Sequence, residues 1–200
     1  MKKVHAGAES LLIFEYLMDY KNYFDQYVTS ISALISTVNS DLINQSISII
    51  NKKIDTKKTI YLIGNGGSSS IASHVSVDFV KSVGIKSQTF NNVNFITCFA
   101  NDYGHDQWMK ESIKSYCDIN DLIILISSSG ESKNIINAAL YCKENKIDLI
   151  TLSGFSKNNT LSSLGKINFH VESKIYNHVE MTHHIILVSI VDALAKIKFD

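Results

Sequence analysis

Apolar residues recur at helical spacing through the first quarter of the chain. Over residues 10–38 they stand three or four positions apart, which predicts a long amphipathic helix. A second helix is predicted from Ser40, which resembles an N-cap, to about Lys53, because lysine side chains favour the negative C-terminal end of a helix. Two N-terminal helices, over about residues 8–53, therefore precede the rest of the chain.

Beyond Lys58 the pattern changes to short apolar runs that alternate with amphipathic segments, which is typical of buried parallel strands joined by helices. The predicted strands are residues 59–63, 122–126, 148–152 and 167–171. The predicted helices are residues 69–83, 105–116, 132–144 and 177–196. The sequence thus predicts an α/β fold, a three-layer α/β/α sandwich with a central parallel sheet and two helices in front of it.

The composition narrows the classes of function. A chain of 200 residues with 45% apolar content can bury one full core, and no linker or repeat divides residues 1–200, so we expect a single domain with its α/β core at about 58–196. The 19 basic and 19 acidic residues balance, which argues against a nucleic-acid-binding surface. All 19 basic residues are lysine, so any phosphate must be bound by backbone N–H groups, hydroxyls or lysine.

Cysteine usage and hydropathy bear on the cellular compartment. The odd number of cysteines, at Cys98, Cys117 and Cys142, fits a reducing cytosol better than a disulfide framework. No apolar run reaches the ~18 residues that a membrane-spanning helix needs, and the N-terminus does not resemble a signal peptide. We therefore expect a cytoplasmic protein with neither a membrane nor a nucleic-acid partner.

A glycine- and serine-rich turn follows the first predicted strand. Residues 64–70 read Gly-Asn-Gly-Gly-Ser-Ser-Ser and open a helix, so backbone N–H groups and hydroxyls stand where the helix dipole favours an anion. The turn lacks the Gly-Lys-Ser/Thr of a P-loop and the third glycine of the dinucleotide fingerprint, so no nucleotide cofactor is expected. The alternative is a tight turn that needs glycine only for its backbone conformation.

A second serine-rich turn, residues 127–132, follows the predicted strand 122–126 and also opens a helix. Because the carboxyl ends of parallel strands meet at one edge of a sheet, the two turns can converge on the crevice where such folds bind ligands. Several hydroxyls with helix-terminal N–H groups suit a phosphate monoester. The alternative is a pair of ordinary helix N-caps.

Three ordered motifs carry a resemblance to a known family. They are Gly64-Asn65-Gly66-Gly67-Ser68, Ala100-Asn101-Asp102-Tyr103-Gly104 and Ser127-Ser128-Ser129-Gly130-Glu131-Ser132. In order and spacing they resemble the sugar isomerase (SIS) domain, and most of all the phosphoheptose isomerases, over about residues 8–196. The resemblance implies the SIS fold, a phosphosugar substrate and a homotetramer.

The resemblance also implies roles for individual residues. Asn65, Gly66, Gly67 and Ser68 would line the sugar site, and Ser127, Ser128, Ser129 and Ser132 would bind the phosphate. Asp102 would contact sugar hydroxyls, and Asn177 stands where the isomerases have an aspartate near the sugar.

Acid–base and metal candidates lie on two of the predicted helices. His74 and Asp78 share a helix face at i and i+4, where phosphoheptose isomerases have a histidine and a glutamate that bind zinc, the carboxylate also being the expected base. Glu180 stands where those enzymes have a zinc-ligating glutamine, and it can share a face with either His183 or His184. Surface ion pairs and structural histidines are the alternatives.

The expected zinc (Zn²⁺) site therefore comprises His74, Asp78, Glu180 and His183, and the expected acid–base residues are Asp78, Glu180 and His184. One family position differs in this chain. Where the isomerases have a histidine that is both zinc ligand and general acid–base, this chain has Val188.

These residues lead to one expected function and to alternatives. We expect an aldose–ketose isomerase that converts sedoheptulose 7-phosphate to D-glycero-D-manno-heptose 7-phosphate for lipopolysaccharide or capsule synthesis. Val188 leaves open a catalytically silent SIS protein that binds a phosphosugar or a protein partner as a regulator. A third hypothesis is that an altered set of acid–base residues isomerises or epimerises a related phosphosugar.

Overall fold

The computed structural model describes residues 20–196, so the predicted beginning of the first helix near residue 10 lies outside the described residues. The helices are α1 (Tyr20–Ser36), α2 (Ser40–Asp55), α3 (Gly66–Asp78), α4 (Val93–Tyr103), α5 (Trp108–Tyr116), α6 (Lys133–Glu144) and α7 (Tyr176–Leu194), with a π-helical turn at Phe79–Val83 and a 3-10 turn at Thr160–Ser163. The strands are β1 (Ile60–Gly64), β2 (Ser87–Gln88), β3 (Leu122–Ser127), β4 (Asp148–Gly154) and β5 (Ile167–Val171).

The five strands form one parallel sheet in the order β2-β1-β3-β4-β5. From β1 the chain first moves outward to β2 and then crosses back to β3, so the winding direction reverses between β1 and β3. At such a switch point the loops after the two strands diverge to opposite faces of the sheet and leave a crevice at the carboxyl ends. The fold thus fixes where a ligand site belongs before any side chain is considered.

Alternation along the strands divides the core into two layers. Ile60 and Leu62 of β1 pack with α2, α3 and α7 on one face, and Tyr61 and Ile63 pack with α5 and α6 on the other. Burial of both faces by helices is what continuous apolar strands require. The predicted three-layer α/β/α sandwich with a central parallel sheet and two preceding helices is confirmed. Among residues 20–196 no helix is long and apolar enough to cross a membrane.

Several predicted boundaries are wrong for local reasons. The helix predicted at 69–83 begins three residues earlier, because Gly66 has a φ of 52° that lets the backbone turn directly from β1 into α3, and its last turn is π-helical. Asn39 rather than Ser40 caps α2, since its side chain accepts a hydrogen bond from the N–H of Asp41 at 2.8 Å.

The segment between β1 and β3 departs most from the prediction. The helix predicted at 105–116 is α5, which begins at Trp108, and both α4 and the two-residue β2 were missed. The side chain of Asn92 caps α4 by accepting from the N–H of Asn94 at 2.8 Å, and Gly104, with φ 85°, ends it. A start signal at Asn92 and a stop signal at Gly104 thus bound α4, so two short helices stand where one was expected.

Candidate functional site

A cavity of about 290 Å³ opens at the switch point, between the carboxyl ends of β1 and β3. The two predicted loops form most of its wall, and α7 closes one side. Its lining residues are Asn65, Gly66, Gly67, Ser68, Ile126, Ser127, Ser128, Ser129, Ser132, Tyr176 and Glu180. The structure thus brings the first and third sequence motifs together in one cavity.

The first loop presents the N-terminus of α3 to this cavity. Asn65 occupies the N-cap position, but its side chain makes no capping hydrogen bond. Its amide instead exchanges two hydrogen bonds of 3.0 Å with the amide of Asn134 on α6, which ties the two loops together. The first N–H groups of α3 therefore have no capping side chain and can bind a ligand oxygen.

The second loop presents hydroxyl groups and another helix N-terminus. Ser127 Oγ accepts from the N–H of Gly130 at 3.2 Å and donates to Ser132 Oγ at 3.5 Å. Ser132 is the N-cap of α6 and makes no capping hydrogen bond with its side chain. The hydroxyl of Ser128 is buried and has no hydrogen-bond partner within residues 20–196. An unpartnered buried hydroxyl in a cavity wall is free to bind a ligand.

Electrostatics at this cavity favour an anion. Neither α3 nor α6 has an acidic residue in its own first turn that would compensate the positive end of its dipole, and the carboxylate that approaches α3 there is that of Glu180 on α7. Hydroxyls and backbone N–H groups on two loops give a phosphate several donors at once. The cavity can therefore bind a phosphate monoester although the chain contains no arginine.

Glu180 is the only carboxylate among the described residues that line the cavity. It reaches the first loop because Gly67 has no side chain: a Cβ at position 67 would stand 2.7 Å from the carboxyl carbon of Glu180 and would overlap its oxygens. This close approach places an acid–base group beside the N-terminus of α3. The same cavity therefore contains hydroxyls and helix N-termini that suit a phosphate, and a carboxylate that can accept a proton.

His74, Asp78 and His184 form a separate group between α3 and α7. His74 Nδ1 lies 2.7 Å from His184 Nε2, and His74 Nε2 lies 3.2 Å from Asp78 Oδ2. Partial burial lowers the pKa of His184, His74 lowers it further, and Asp78 opposes the shift. The His74 side chain is 55% exposed, and the residues of this group do not line the cavity.

His183 lies outside this group. It is fully buried, and its Nε2–H donates to the carbonyl oxygen of Ser153 at 3.0 Å. Burial lowers the pKa of His183 to about 4, so the ring is neutral at physiological pH. The sequence prediction of His183 as a metal ligand needs correction, because α7 turns this ring into the core and turns His184 towards His74.

The donor set does not fit a bound zinc ion. Within residues 20–196 no group of three or more His, Cys, Asp or Glu side chains is arranged to hold a metal. Each nitrogen of the His74 ring already faces another side chain, and Val188 packs against the apolar core. A zinc site needs about four converging ligands.

Two residues predicted to bind the sugar, Asp102 and Asn177, do not line the cavity. Asp102 is exposed near the end of α4, where its carboxylate accepts a hydrogen bond of 2.9 Å from Asn101. Asn177 is exposed in the first turn of α7, next to Tyr176. Sequence reasoning missed Tyr176, although its position one helical turn before Glu180 places it on the same face.

Comparison with known proteins supports the fold and places the chain in a family. The SIS domain matches residues 22–154, which is more than half of the chain. The chain belongs to the SIS domain family. A phosphoheptose isomerase of Thermodesulfovibrio yellowstonii is 30% identical over 169 residues, which cover 80% of this chain and 84% of that protein.

Two solved SIS structures show the same architecture. A phosphoheptose isomerase from Francisella tularensis has a TM-score of 0.81 at 19% identity, covering 90% of this chain and 100% of that one. A phosphoheptose isomerase from Neisseria gonorrhoeae has a TM-score of 0.80 at 18% identity, with the same coverage. At these identities the likeness establishes the fold, and the SIS domain match together with the 30% identical relative confirms the resemblance drawn from the three sequence motifs.

A larger cavity in this SIS chain lies away from the motifs. It measures about 500 Å³ and is bounded by the end of α1, the start of α2, β5 and α7. The described residues that line it include Lys157, His170 and Glu172, and none of the predicted site residues. This cavity is the larger of the two, but its described lining lacks the features that suit a phosphosugar. The serine loops, the free helix N-termini and Glu180 make the smaller cavity the candidate functional site.

Proposed function

We propose that this SIS protein is a phosphoheptose isomerase that interconverts sedoheptulose 7-phosphate and D-glycero-D-manno-heptose 7-phosphate. The observation that carries the proposal is the single cavity in which the serine loops and Glu180 meet. The relatives named as phosphoheptose isomerases support the choice of substrate.

The phosphate is bound by the loop after β3. Hydroxyls of Ser127, Ser129 and Ser132 and the N-terminus of α6 supply donors to the phosphate oxygens. Because the phosphate end of the sugar is anchored, the reacting carbons at its other end are held beside the base, and the proton transfer becomes effectively an intramolecular step.

Glu180 is the base of the isomerisation. The reaction moves a proton between C1 and C2 through an enediol, so it needs a proton acceptor within reach of both carbons. Asp78 was an equal candidate from the sequence, but its carboxylate faces His74 at 3.2 Å and does not line the cavity. Glu180 takes the proton from one carbon and returns it to the other, while the hydroxyl proton passes between O1 and O2 of the enediol intermediate.

The N-terminus of α3 stabilises the developing oxyanion. As the enediol forms, negative charge grows on the carbonyl oxygen, and preorganised donors lower the barrier most when they point at that oxygen. The uncapped N–H groups of α3 and the hydroxyl of Ser68 lie beside Glu180 in the cavity wall and are the donors available there.

The silent-regulator alternative rests on Val188 alone. Val188 packs against the core and offers no proton-transfer group. The serine loops would suit a phosphosugar-binding regulator as well, but the same cavity also contains the Glu180 carboxylate, a proton acceptor that neither sugar binding nor protein binding alone needs. These residues favour the enzyme.

The assembly and cellular role form part of the same proposal. A homotetramer is supported by α1, which buries none of its residues in the described chain and exposes Tyr20, Tyr23, Phe24 and Val28. Apolar side chains of this size are typical of subunit interfaces. We place the enzyme in the cytoplasm, where its product would enter lipopolysaccharide or capsule synthesis.

The proposal is tested by incubating the protein with sedoheptulose 7-phosphate in D₂O and following the product by NMR. Formation of the heptose 7-phosphate with deuterium at C2 is expected, because the base exchanges its proton with solvent. Glu180→Gln, which keeps the side-chain size, should abolish both the formation of the product and the incorporation of deuterium. Binding of the sugar without turnover would contradict the phosphoheptose isomerase and favour the regulator.

A further inference from the structure

An aromatic pair borders the proposed substrate cavity. Tyr176, the first residue of α7, lines the cavity, and its ring meets the ring of Phe155 edge to face, with centroids 4.8 Å apart and planes at 75°. This geometry is a favourable one for two aromatic rings. The phosphate and proton-transfer roles proposed above use neither ring.

The backbone holds Phe155 in an unusual conformation. Its φ is 58°, in the left-handed region that bulky side chains rarely adopt. The N–H of Phe155 donates to the carbonyl oxygen of Ser173 at 3.0 Å, and its ring packs against the apolar core. A strained backbone held by its surroundings fixes the ring where it meets Tyr176, and such strain is concentrated at functional sites.

Tyr176 and Glu180 face the cavity from consecutive turns of α7. They stand at i and i+4, so the ring and the carboxylate are neighbours on one helix face. A sugar with its phosphate on the serine loop and its reacting carbons at Glu180 must extend its carbon chain across this cavity. The Tyr176 ring forms part of the wall that such a chain passes.

We propose that Tyr176 determines the chain length of the substrate. Its ring packs against the C–H groups between the phosphate and the reacting carbons, and Phe155 is the positioning residue that holds the ring there. A seven-carbon chain has more C–H groups between its phosphate and its reacting carbons than a five-carbon chain, so it can cover more of the ring while its ends are bound at the serine loop and Glu180. The inference rests on the proposed function, because it assumes that phosphate and base bind opposite ends of one sugar.

The experiment compares ketose phosphates of seven, six and five carbons. For each we would measure kcat/KM, and by calorimetry the affinity for the corresponding polyol phosphate, which cannot isomerise. Tyr176→Ala should reduce the preference for seven carbons on the order of 10-fold, mainly through KM, since an apolar contact supports discrimination of this size. Tyr176→Phe should retain the preference, because the ring and not the hydroxyl makes the contact.

Two further variants separate positioning from folding. Phe155→Gly removes the ring while glycine accepts the positive φ, so it should reduce the preference in the same direction, and Phe155→Tyr should retain it. Ile175→Ala is the matched control, because Ile175 adjoins Tyr176 and is 54% exposed against 59%, yet does not line the cavity. It should leave the preference unchanged.

The outcomes distinguish this inference from the proposed function. An unchanged chain-length preference in Tyr176→Ala, with turnover intact, would overturn the inference and leave the isomerase standing. An equal loss in Ile175→Ala would also overturn it. A wild-type protein that binds the polyol phosphates without turning over ketoses would contradict the isomerase, and the affinities would still decide the role of Tyr176. Absence of turnover of all three ketose phosphates together with absence of binding by all three polyols would overturn both.

Discussion

Gly67→Ala should separate catalysis from stability. A Cβ at position 67 would lie 2.7 Å from the Glu180 carboxyl carbon, whereas carbon atoms pack best at about 3.5 Å or more, so the carboxylate must move by about 1 Å. A displacement of that size at a reacting group costs about 10²-fold in rate. Gly67 has no left-handed φ and lies in α3, so alanine is compatible with its backbone and should stabilise the helix by up to about 1 kcal/mol.

The assay pairs steady-state kinetics with urea unfolding. We expect kcat for sedoheptulose 7-phosphate to fall about 10²-fold while the free energy of unfolding stays equal to the wild-type value or rises. Ser70→Ala, an exposed change on the same helix, is the control and should leave kcat unchanged. A Gly67→Ala enzyme with wild-type kcat would refute the placement of Glu180 as the base.

Other predictions follow from the same structure. Ser127→Ala and Ser132→Ala should each weaken binding of inorganic phosphate by about 1–2 kcal/mol in calorimetry, and unchanged affinity would remove the phosphate site. Because the pKa of His183 is lowered to about 4, the unfolded chain binds a proton that the folded chain excludes, and stability should fall by roughly 3 kcal/mol as pH drops from 6.5 to 4. Denaturant titrations of His183→Gln should show a flatter pH dependence, and an unaltered slope would contradict the assignment. Val188→His should not by itself bind zinc, as the two nitrogens of the His74 ring already face other side chains; stoichiometric zinc by elemental analysis would show otherwise. Light scattering should report a tetramer at micromolar concentration, and a monomer would contradict the proposed assembly.

The four longer strands and the two loops could be predicted because their signals are local, whereas the two-residue β2 is too short to give one. The strand of residues 167–171 has the predicted bounds, because its buried residues alternate with half-buried ones and the pattern ends at Lys166 and Glu172. The strands ending at Ser127 and Gly154 were predicted too short, because serine and glycine interrupt the apolar pattern while the hydrogen bonds of the sheet continue. The loop sequences after β1 and β3 were sufficient to propose where an anion binds.

The side-chain partners on α7 could not be predicted, because they depend on how the helix is rotated against the sheet. His183 and His184 differ by one position, about 100° around the helix, and both satisfy the spacing from Glu180. Only packing shows that His183 meets Ser153 in the core and that His184 meets His74. Tyr176 was missed for the same reason, since an exposed aromatic residue at a helix start has no distinctive sequence signal.

The roles of the two carboxylates and of a metal can be tested in one measurement. Deuterium incorporation at C2 of the product would be followed in D₂O after exhaustive chelation, for the wild type, Glu180→Gln and Asp78→Asn. The structure predicts exchange in the chelated wild type and in Asp78→Asn, and none in Glu180→Gln, because Glu180 lines the cavity while Asp78 faces His74. Exchange that persists in Glu180→Gln, or that chelation abolishes in the wild type, would contradict a metal-independent isomerase with Glu180 as its base.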